Sequence, residues 1–425
     1  MQEPSASAPV PEDLIDAWSA RGWPADLLQS AFDLHISRRQ IEWWLRQDDR
    51  GLERARNVVP QLQELTLGSI RGREATYLDN DRFSDLWANA PEDIGDWEII
   101  VERAPNAFAQ FQLQENVSIP VLEERGVLLA CVVWAGRNLL VGGRRLTVHC
   151  AQALRVRREG RGFGYGNLVR AVPRPIWFPY ISGQFHYMRS QNYAAVDFFQ
   201  HTSPGVVASS PEREDDVPGI PVTVYQYPAR ERSADALGVR TATRADIRRC
   251  VSLINRTHRG QDLFCPYVAA NFELKLDHGA WGSRPVHSEH VYGWEDYYVV
   301  EEKGQVVACG GLWDRGRDVR EHWRNRVTGE ERRVAPTALL DFGFQPGFEH
   351  TMANLIAHFI GKTHRLGRDY LVAPLQQQPA VASLLSDFEP VTETRALGWF
   401  RWDETGRDLP PEPPIKRPYT DLAYW

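Results

Sequence analysis

Apolar residues recur at helical spacing near the N-terminus, with polar residues in the positions between them. They are Leu14, Trp18, Leu27, Leu28, Phe32, Ile41 and Trp44. Ser37 stands where it can cap the segment RRQIEWWLRQ, because a serine hydroxyl accepts a hydrogen bond from the first turn of a helix. The pattern predicts a small helical N-terminal extension over residues 1–67.

The remainder of the chain carries one pattern of apolar and polar residues twice. The segment REATYLDNDRFSDL, which starts at Arg73, matches RTATRADIRRCVSL, which starts at Arg240. Farther on, VLEERGVLLAC matches VVEEKGQVVAC, with the acidic pair, the basic residue, the glycine and the Ala-Cys in register. Apolar runs on both sides of Arg125–Gly126 and of Lys303–Gly304 predict two strands joined by a tight turn, in which glycine supplies a positive φ.

A third match, between QNYAAVDFF from Gln191 and QPAVASLLS from Gln378, follows in the same order. An internal repeat of this length indicates two copies of one fold. We therefore predict a first copy over residues 68–230 and a second copy over residues 231–425. The segment SPGVVASSPEREDDVPG is predicted to be an exposed linker, and PVTVYQY after it the closing strand of the first copy.

The composition is that of an ordinary globular protein. The chain has 425 residues, of which 43% are hydrophobic and 25% charged, and this length predicts about two or three domains. The formal net charge of -7 argues against a general nucleic-acid binder, because such proteins neutralise phosphates with clustered Lys and Arg. No nucleic-acid partner is therefore predicted.

Cysteine usage and hydropathy bear on the compartment. The five cysteines include no CxxC pair and are odd in number, so neither a zinc site nor a disulfide framework is expected, and no metal is predicted. No apolar stretch approaches the roughly 18 residues that span a bilayer, and the N-terminus lacks the pattern of a signal peptide. These features predict a cytoplasmic protein without membrane contact.

A glycine-rich segment follows a long apolar strand in the first copy. The strand, from Leu146 to Val156, leads into RREGRGFGYGNLVRAV, with glycines at 160, 162, 164 and 166. Glycines keep side chains away from backbone N–H groups, and a helix that begins near Asn167 directs its positive end at the loop, so a pyrophosphate fits. The P-loop ending and the acidic residue of the Rossmann pattern are both missing. Nearby cationic residues are Arg155, Arg157, Arg158 and Arg161.

These glycines and their neighbours carry a family resemblance. RGFGYG, from Arg161 to Gly166, resembles the R-x-x-G-x-G pyrophosphate loop of the GNAT superfamily of N-acetyltransferases. Asn192, Ala195 and Phe199 resemble its N-x-x-A-x-x-x-Y stretch, with Phe in place of Tyr. The resemblance implies an α+β fold with two GNAT folds in tandem, each a central mixed, mostly antiparallel sheet with flanking helices, splayed between its fourth and fifth strands.

The resemblance also implies that acetyl-CoA or another acyl-CoA binds in the splayed sheet as co-substrate. Backbone groups of Leu154 and Val156 would hold the pantetheine arm, and N–H groups from Gly162 to Asn167 the pyrophosphate. The residues implied in acyl-CoA binding are Leu154, Arg155, Val156, Arg161, Gly162, Phe163, Gly164, Tyr165, Gly166, Asn167 and Asn192. The alternative is a glycine-rich turn that serves packing alone.

The catalytic groups are less regular than the loop. Where the family often has a glutamate base on the fourth strand, this chain has Cys150 next to His149, whose imidazole can accept a proton near neutral pH. Phe199 stands in the place of the usual tyrosine acid, and a phenyl ring donates no proton. Either another residue supplies the proton or the thiolate leaves without help. Residues that could replace it are Tyr165, Tyr187, Tyr193 and His201. The structural alternatives are a packed strand histidine for His149 and a small core residue for Cys150. The catalytic candidates are His149, Cys150 and Tyr165.

The second copy lacks most of the loop. The strand TALLDFGF leads into QPGFEHTMANLIAHFI, where Gly347 alone remains of the glycines. Glu349 and His350 would crowd or repel a pyrophosphate, so this copy is predicted to bind no CoA and to complete a substrate cleft. Asp341, Glu349 and His350 are predicted to cap a helix and not to form a metal or acid/base cluster.

The sequence thus predicts an acyl-CoA-dependent N-acyltransferase, with acetyl as the expected acyl group, that acts on a primary amine of a small molecule or peptide. A catalytically impaired acyl-CoA sensor or scaffold is an alternative, because Phe199 and Cys150 stand where the family has its acid and base. Transfer to a carrier-bound biosynthetic intermediate is another. The sequence predicts neither the acceptor nor the oligomeric state.

Overall fold

The computed structural model describes most of the chain. The described residues are 10–33, 38–46, 52–53, 55–56, 59, 69–161, 163–171, 181–189, 192, 219–231, 238–278, 291–402, 408–409 and 415–424. The helices are α1 (Glu12–Ser19), α2 (Ala25–Asp33), α3 (Arg38–Arg46), α4 (Asn80–Ala88), α5 (Ala109–Gln112), α6 (Tyr165–Ala171), α7 (Ile247–Thr257), α8 (Ala269–His278), α9 (Arg315–Asp318), α10 (Glu349–Arg365) and α11 (Pro379–Leu384). The strands are β1 (Ile70–Glu74), β2 (Glu92–Ile94), β3 (Trp97–Arg103), β4 (Val117–Ser118), β5 (Pro120–Glu124), β6 (Val127–Val141), β7 (Arg144–Val156), β8 (Gly183–Arg189), β9 (Ile220–Pro228), β10 (Val239–Thr241), β11 (Tyr297–Glu302), β12 (Gln305–Trp313), β13 (Val319–Asn325), β14 (Glu331–Val334), β15 (Thr337–Phe344), β16 (Tyr370–Ala373), β17 (Val391–Trp402) and β18 (Asp408–Leu409).

The chain divides into two compact units. One, called the N-unit below, comprises residues 1–86, 118–133 and 153–180. The other, the C-unit, comprises residues 87–117, 134–152 and 181–425. The chain passes from one unit to the other inside the long strands β6 and β7. The boundaries after residues 67 and 230 that the repeat suggests remain predictions.

Short helices open the N-unit, as the apolar spacing predicted. Trp18 on α1 is buried, and its indole N–H donates to the carbonyl of Pro24 (2.9 Å). Its ring meets the edge of the Trp23 ring, with centroids 4.8 Å apart. Ile41 and Trp44 on α3 are also buried. Five of the residues that set the helical pattern are therefore buried in this segment, namely Leu14, Trp18, Leu28, Ile41 and Trp44.

The sheet of the N-unit has the order β1, β5, β6, β7, and β1 pairs antiparallel with β5. Arg73 on β1 forms an ion pair with Asp79 (2.7 Å) in the turn that follows this strand. Asp79 also accepts the backbone N–H of Thr76 (2.7 Å) and so caps the following helical turn. Arg73 is buried, and Glu123 on β5 supplies a second carboxylate. The matched arginine and aspartate of the repeat therefore act as a structural pair.

The C-unit contains the same arrangement. Arg240 pairs with Asp246 (2.8 Å), and Asp246 accepts the N–H of Thr243 (2.8 Å). The hairpin turns agree as well, because φ is 50° and 83° at Arg125–Gly126 and 51° and 76° at Lys303–Gly304. The sequence match thus corresponds to a repeat of structure.

The main sheet of the C-unit has the order β6, β7, β8, β17, β9, β16, β15, β12, β11, β10. Strands β7 and β8 run parallel, as do β15 and β16. A second sheet has the order β14, β13, β3, β2, with antiparallel neighbours. The mixed sheet with flanking helices is the predicted α+β class.

The closing strands of the two copies are exchanged. β17, from the second copy, pairs antiparallel with β8 of the first, from Gly183↔Arg401 to Arg189↔Arg395. β9, from the first copy, pairs with β16 of the second and with β17. PVTVYQY is therefore a closing strand, as predicted, but it completes the sheet of the other copy. Neither copy forms its full sheet from its own sequence.

Candidate functional site

The glycine-rich segment follows β7 in the N-unit. Arg158–Gly160 forms a single 3-10 turn, and α6 begins at Tyr165. Gly164 has a φ of 79°, which side chains disfavour. Gly160 faces the Tyr165 ring, whose Cδ2 lies 2.9 Å from the position that a Cβ would take. Glycine is therefore favoured at position 164 by the backbone conformation and at position 160 by the close approach of the Tyr165 side chain.

The start of α6 offers backbone donors. The N–H of Leu168 donates to the carbonyl of Gly164 (3.1 Å) and closes the first turn. The N–H groups of Tyr165 and Gly166 have no carbonyl one turn earlier in the helix, as at every helix start. Such groups bind phosphate oxygens. Gly162 and the side chain of Asn167 lie outside the described residues.

The arginines of this segment differ in their surroundings. Arg157 is buried, donates through Nε to the carbonyl of Leu128 (2.7 Å) and forms an ion pair with Asp85. It therefore anchors the end of β7. Arg158 and Arg161 are exposed. The positive charge that the sequence places around the loop thus comes from the exposed residues, while Arg157 is structural.

β7 contains a residue in the left-handed backbone region three residues before its end, a conformation that occurs in β-bulges. Ala153 has a φ of 56°, and Asp341 in β15 of the second copy has a φ of 49°. A bulge turns neighbouring backbone groups out of regular pairing, so the N–H of Leu154 is a candidate donor to a carbonyl oxygen. Leu154 and Val156 are half-buried, and the Arg155 guanidinium donates to the carbonyl of Leu154 (3.0 Å).

In the C-unit, the pairing of β7 with β8 is short. It runs from Val148↔Gly183 to Cys150↔Phe185. Because side chains alternate along a strand, Cys150, Phe185 and Tyr187 lie on one face of the sheet, and His149 lies on the other. Cys150 and Phe185 belong to one apolar cluster, against which Tyr187 packs. The parallel pairing is thus limited to three residues of each strand.

His149 lies in a buried, apolar environment. Its Nε2 lies 2.8 Å from the position that a Cβ on Gly136 would take, and its ring is 6.3 Å from that of Trp134. Burial lowers the pKa of the imidazole to about 3, so the ring is neutral at pH 7 and a weak proton acceptor. The catalytic role of His149 stays a prediction, and this geometry favours the packing alternative.

We expect His149 to make the folded protein less stable as the pH is lowered below 6.5. The unfolded imidazole, with an ordinary pKa of 6.5, takes up a proton that the folded one takes up only near pH 3. The contribution of His149 to the free energy of unfolding is therefore complete above pH 6.5, and below that pH it decreases by about 1.4 kcal/mol per pH unit. Between pH 7 and 5, H149Q should lose about 2 kcal/mol less than the wild type in urea unfolding. An equal loss in both proteins would contradict this assignment.

Cys150 and Tyr165 complete the catalytic candidates. Burial raises the pKa of the Cys150 thiol well above its usual range, which favours a core thiol over a nucleophile. Tyr165 is half-buried on the first turn of α6, and its ring stacks on Phe163 with centroids 6.0 Å apart. Phe163 itself is 72% exposed. The catalytic roles of both residues stay predictions.

Tyr187, one of the possible replacements for the missing acid, lies on β8 in the C-unit. Its hydroxyl donates to the carbonyl of Tyr419 (3.3 Å). Burial raises its pKa well above the usual range, so the phenol keeps its proton at pH 7. Asn192, also in the C-unit, donates its backbone N–H to the carbonyl of Arg189 (2.9 Å). Ala195, Phe199, Tyr193 and His201 lie outside the described residues.

The C-terminal segment, residues 415–424, packs into the C-unit, which the sequence analysis did not predict. Asp421 pairs with the buried Arg137 on β6 (2.7 Å), whose guanidinium lies 5.0 Å from the Tyr424 ring. Gln114 donates to the carbonyl of Ala423 (2.5 Å). The only signal in the sequence is the apolar and aromatic ending DLAYW after a proline-rich stretch.

In the second copy, Asp341 does not cap a helix, contrary to the sequence prediction. It lies inside β15, buried, and accepts from the Lys275 ammonium at 2.8 and 2.9 Å. The hydroxyls of Tyr267 (2.6 Å) and Tyr292 (3.2 Å) donate to the same carboxylate. Glu349 does act at a helix start, because it accepts the N–H of Gly347 (3.2 Å). The bulge position of this copy thus holds a buried ion pair.

The described residues contain no group of three or more His, Cys, Asp or Glu side chains that could hold a metal ion. Within that part of the chain, no helix is both long and apolar enough to cross a membrane.

The fold resembles that of solved acyltransferases. No protein-family model matches the sequence, and no curated protein matches it either. A structure of Saccharomyces cerevisiae N-myristoyltransferase with bound myristoyl-CoA aligns at 13% identity over 79% of this chain and 80% of that one, with a TM-score of 0.53. Another, with myristoyl-CoA and inhibitors, aligns at 12% identity over 79% and 81%, with a TM-score of 0.54. With the repeated topology, this likeness identifies the chain as a protein with the GNAT fold in two copies.

Proposed function

We propose that the chain is an acyl-CoA-dependent N-acyltransferase that acts on a primary amine of a small molecule or peptide. The observation that carries the proposal is the glycine-rich start of α6, with Gly164 at a φ of 79° and N–H groups free of intrahelical acceptors. The exposed Arg158 and Arg161 add positive charge beside it. An acyl-CoA pyrophosphate is the ligand that this segment fits in a GNAT fold.

Acetyl is the acyl group that we propose first, from the resemblance of the loop to N-acetyltransferases. The yeast N-myristoyltransferases bind myristoyl-CoA, so a longer chain is the alternative to test. Asn192 would reach the pantetheine or acyl region. The cytoplasm remains the predicted compartment.

The reaction joins the amine nitrogen to the thioester carbonyl carbon and breaks the C–S bond. The amine loses one proton, the sulfur gains one, and the products are an amide and CoA thiol. Tyr187 is the proposed hydrogen-bond donor to the sulfur, because burial keeps its phenol protonated at neutral pH.

A negative charge placed in the loop should weaken acyl-CoA binding. Glu at position 164 would place a carboxylate beside the pyrophosphate and strain a backbone at φ 79°. We expect G164E to weaken acetyl-CoA binding at least tenfold, about 1.4 kcal/mol or more, in calorimetric titration. Gly126 has a φ of 83° and equally open surroundings, so G126E is a matched control for strain and charge. Equal affinities in the two variants would contradict the proposal.

Free-thiol release from acetyl-CoA with a panel of amines tests the chemistry. We expect an amine to raise the rate, and Y187F to lower kcat roughly tenfold or more while acetyl-CoA affinity is kept. The buried settings of His149 and Cys150 favour the sensor or scaffold as second candidate. That candidate would be supported if CoA binds tightly but no amine raises thiol release from acetyl-CoA or from a longer acyl-CoA, and no carrier-bound acceptor does so either.

A further inference from the structure

A buried cluster of charged side chains lies in the C-unit at the end of β8. Its members are Arg189, Arg315, Arg395, Glu321 and Glu393. Arg189 donates through Nη2 to both oxygens of Glu321 (3.0 Å each), and its Nε lies 3.3 Å from Glu393 Oε1. Arg395 donates to Glu393 Oε1 (3.1 Å), and Arg315 Nη2 lies 3.8 Å from Glu321 Oε1. Three guanidinium groups thus surround two carboxylates.

All the carboxylate oxygens of this cluster accept hydrogen bonds, whereas two of its guanidinium N–H groups have no acceptor. The indole of Trp323 also donates to Glu321 Oε2 (3.0 Å), and the amide of Gln226 donates to Glu393 Oε2 (2.9 Å). Every carboxylate oxygen therefore accepts at least one hydrogen bond. In the described part of the chain, Arg189 Nη1 and Arg315 Nε are buried without a hydrogen-bond partner. Buried donors without acceptors are costly, so the cluster lacks an acceptor.

The electrostatics fit an anionic acceptor. Burial, together with the charges of Arg189 and Arg315, lowers the pKa of Arg395 to about 10 despite Glu393. Burial would raise the pKa of Glu321, yet Arg189 and Arg315 hold it at about 2. Both glutamates are therefore ionised at pH 7, and Arg189 and Arg395 stay charged. Glu92 acts on Arg189 from beyond ion-pair distance and offsets part of the cationic excess.

The cluster lies on the face that carries Tyr187. Arg189 follows Tyr187 by two residues in β8, so their side chains leave the same face about 7 Å apart. Tyr187 is the group proposed above to serve the leaving sulfur. A ligand that places its amine near Tyr187 can therefore place a second group at the unpaired guanidinium donors.

We propose that Arg189 and Arg315 bind an oxyanion of the acceptor, a carboxylate or phosphate, so that the substrate is an amine with an anionic group about 7 Å from its nitrogen. This inference rests on the proposed acyltransfer and names the class of acceptor. The two guanidinium groups select the substrate by hydrogen bonding its oxyanion, and Glu321 and Glu393 hold them in place.

Matched amine pairs test this selection. In the thiol-release assay we compare 6-aminohexanoate and 5-aminopentylphosphonate with neutral 6-aminohexanamide. We expect the wild type to prefer an anionic amine at least tenfold in kcat/KM, through KM. R315Q should lose the preference while acetyl-CoA affinity is unchanged, and R315K should keep most of it. E393Q, which removes a negative charge and keeps an amide acceptor for Arg395, should strengthen the preference, a gain that a merely structural cluster would not produce.

Calorimetric binding of the same three compounds to the full-length protein separates this inference from the proposed function. Binding of an anionic compound to the wild type, lost in R315Q, supports the oxyanion site even where no amine releases thiol. Acylation of the neutral amide as efficient as that of both anions would overturn the site and leave the acyltransferase standing. If neither anion binds and R315Q has no effect, the oxyanion site is overturned, and the unpaired N–H groups are hydrogen-bonded by water alone. A higher affinity for the carboxylate or for the phosphonate identifies the oxyanion.

Discussion

Replacing Lys275 by methionine should destabilise the protein by about 3–5 kcal/mol, because it leaves the carboxylate of Asp341 buried without its counter-ion. Both side chains are 1% exposed, and Lys275 Nζ lies 2.8 and 2.9 Å from the two oxygens of Asp341. The tyrosine hydroxyls that remain cannot balance a full charge. The loss is measured as the change in free energy of urea unfolding. For comparison, K416M removes an exposed lysine and should change that free energy by less than about 0.5 kcal/mol.

A second substitution separates the lost charge from the lost packing. Asn in place of Asp341 removes the negative charge and tolerates the φ of 49° at this position. Its amide oxygen accepts from one of the hydroxyls of Tyr267 and Tyr292, and its amide NH2 donates to the oxygen of the other. The double variant K275M/D341N should therefore recover most of the stability that K275M loses. A loss below about 1 kcal/mol in K275M, or no recovery in the double variant, would show that the pair contributes little.

The second copy should not fold when it is produced alone as residues 231–425. This fragment lacks β9, which pairs with β16 on one side and β17 on the other. It also lacks β8, the other partner of β17. The complementary fragment, residues 1–230, leaves the edge of β8 that β17 covers unpaired. We expect each fragment alone to show no cooperative thermal unfolding and to aggregate through its open strand edges.

Co-expression of the two fragments is the control for the break in the chain. The break falls after β9, so the two fragments together contain every strand of the sheet. They should copurify as a complex with a cooperative unfolding transition and restored acetyl-CoA binding. Cooperative unfolding of residues 231–425 alone would instead support the repeat boundary as a true domain boundary.

Local structure followed closely from the sequence. The repeated hairpins, with glycine after Arg125 and after Lys303, have nearly equal φ values at corresponding positions. Turns of this kind depend on a few adjacent residues, so their residue types identify them. The glycine-rich segment after β7 was likewise identified from its spacing, and Gly164 indeed needs a conformation that favours glycine.

Individual side-chain roles followed less well. Asp341 lies in a strand and not at a helix start, because the bulge in β15 and a lysine on α8 decide its environment. The sequence places Arg157 among the cationic residues near the loop, but its contacts with Leu128 and Asp85 anchor the end of β7. A charge in a sequence does not reveal its partner when that partner lies tens of residues away.

The sequence by itself determined the internal repeat, the helical start and the glycine-rich turn, because each depends on neighbouring residues and their spacing. The α+β class followed from the family resemblance that the glycine-rich turn carries. Only the tertiary structure decided the exchange of β9 and β17, the burial of the C-terminal segment and the cluster around Arg189. These features join residues more than a hundred positions apart, such as Arg189 and Glu321. Pairing at that separation depends on the shape and hydrogen-bonding edges of the whole sheet, which no local pattern of residues records.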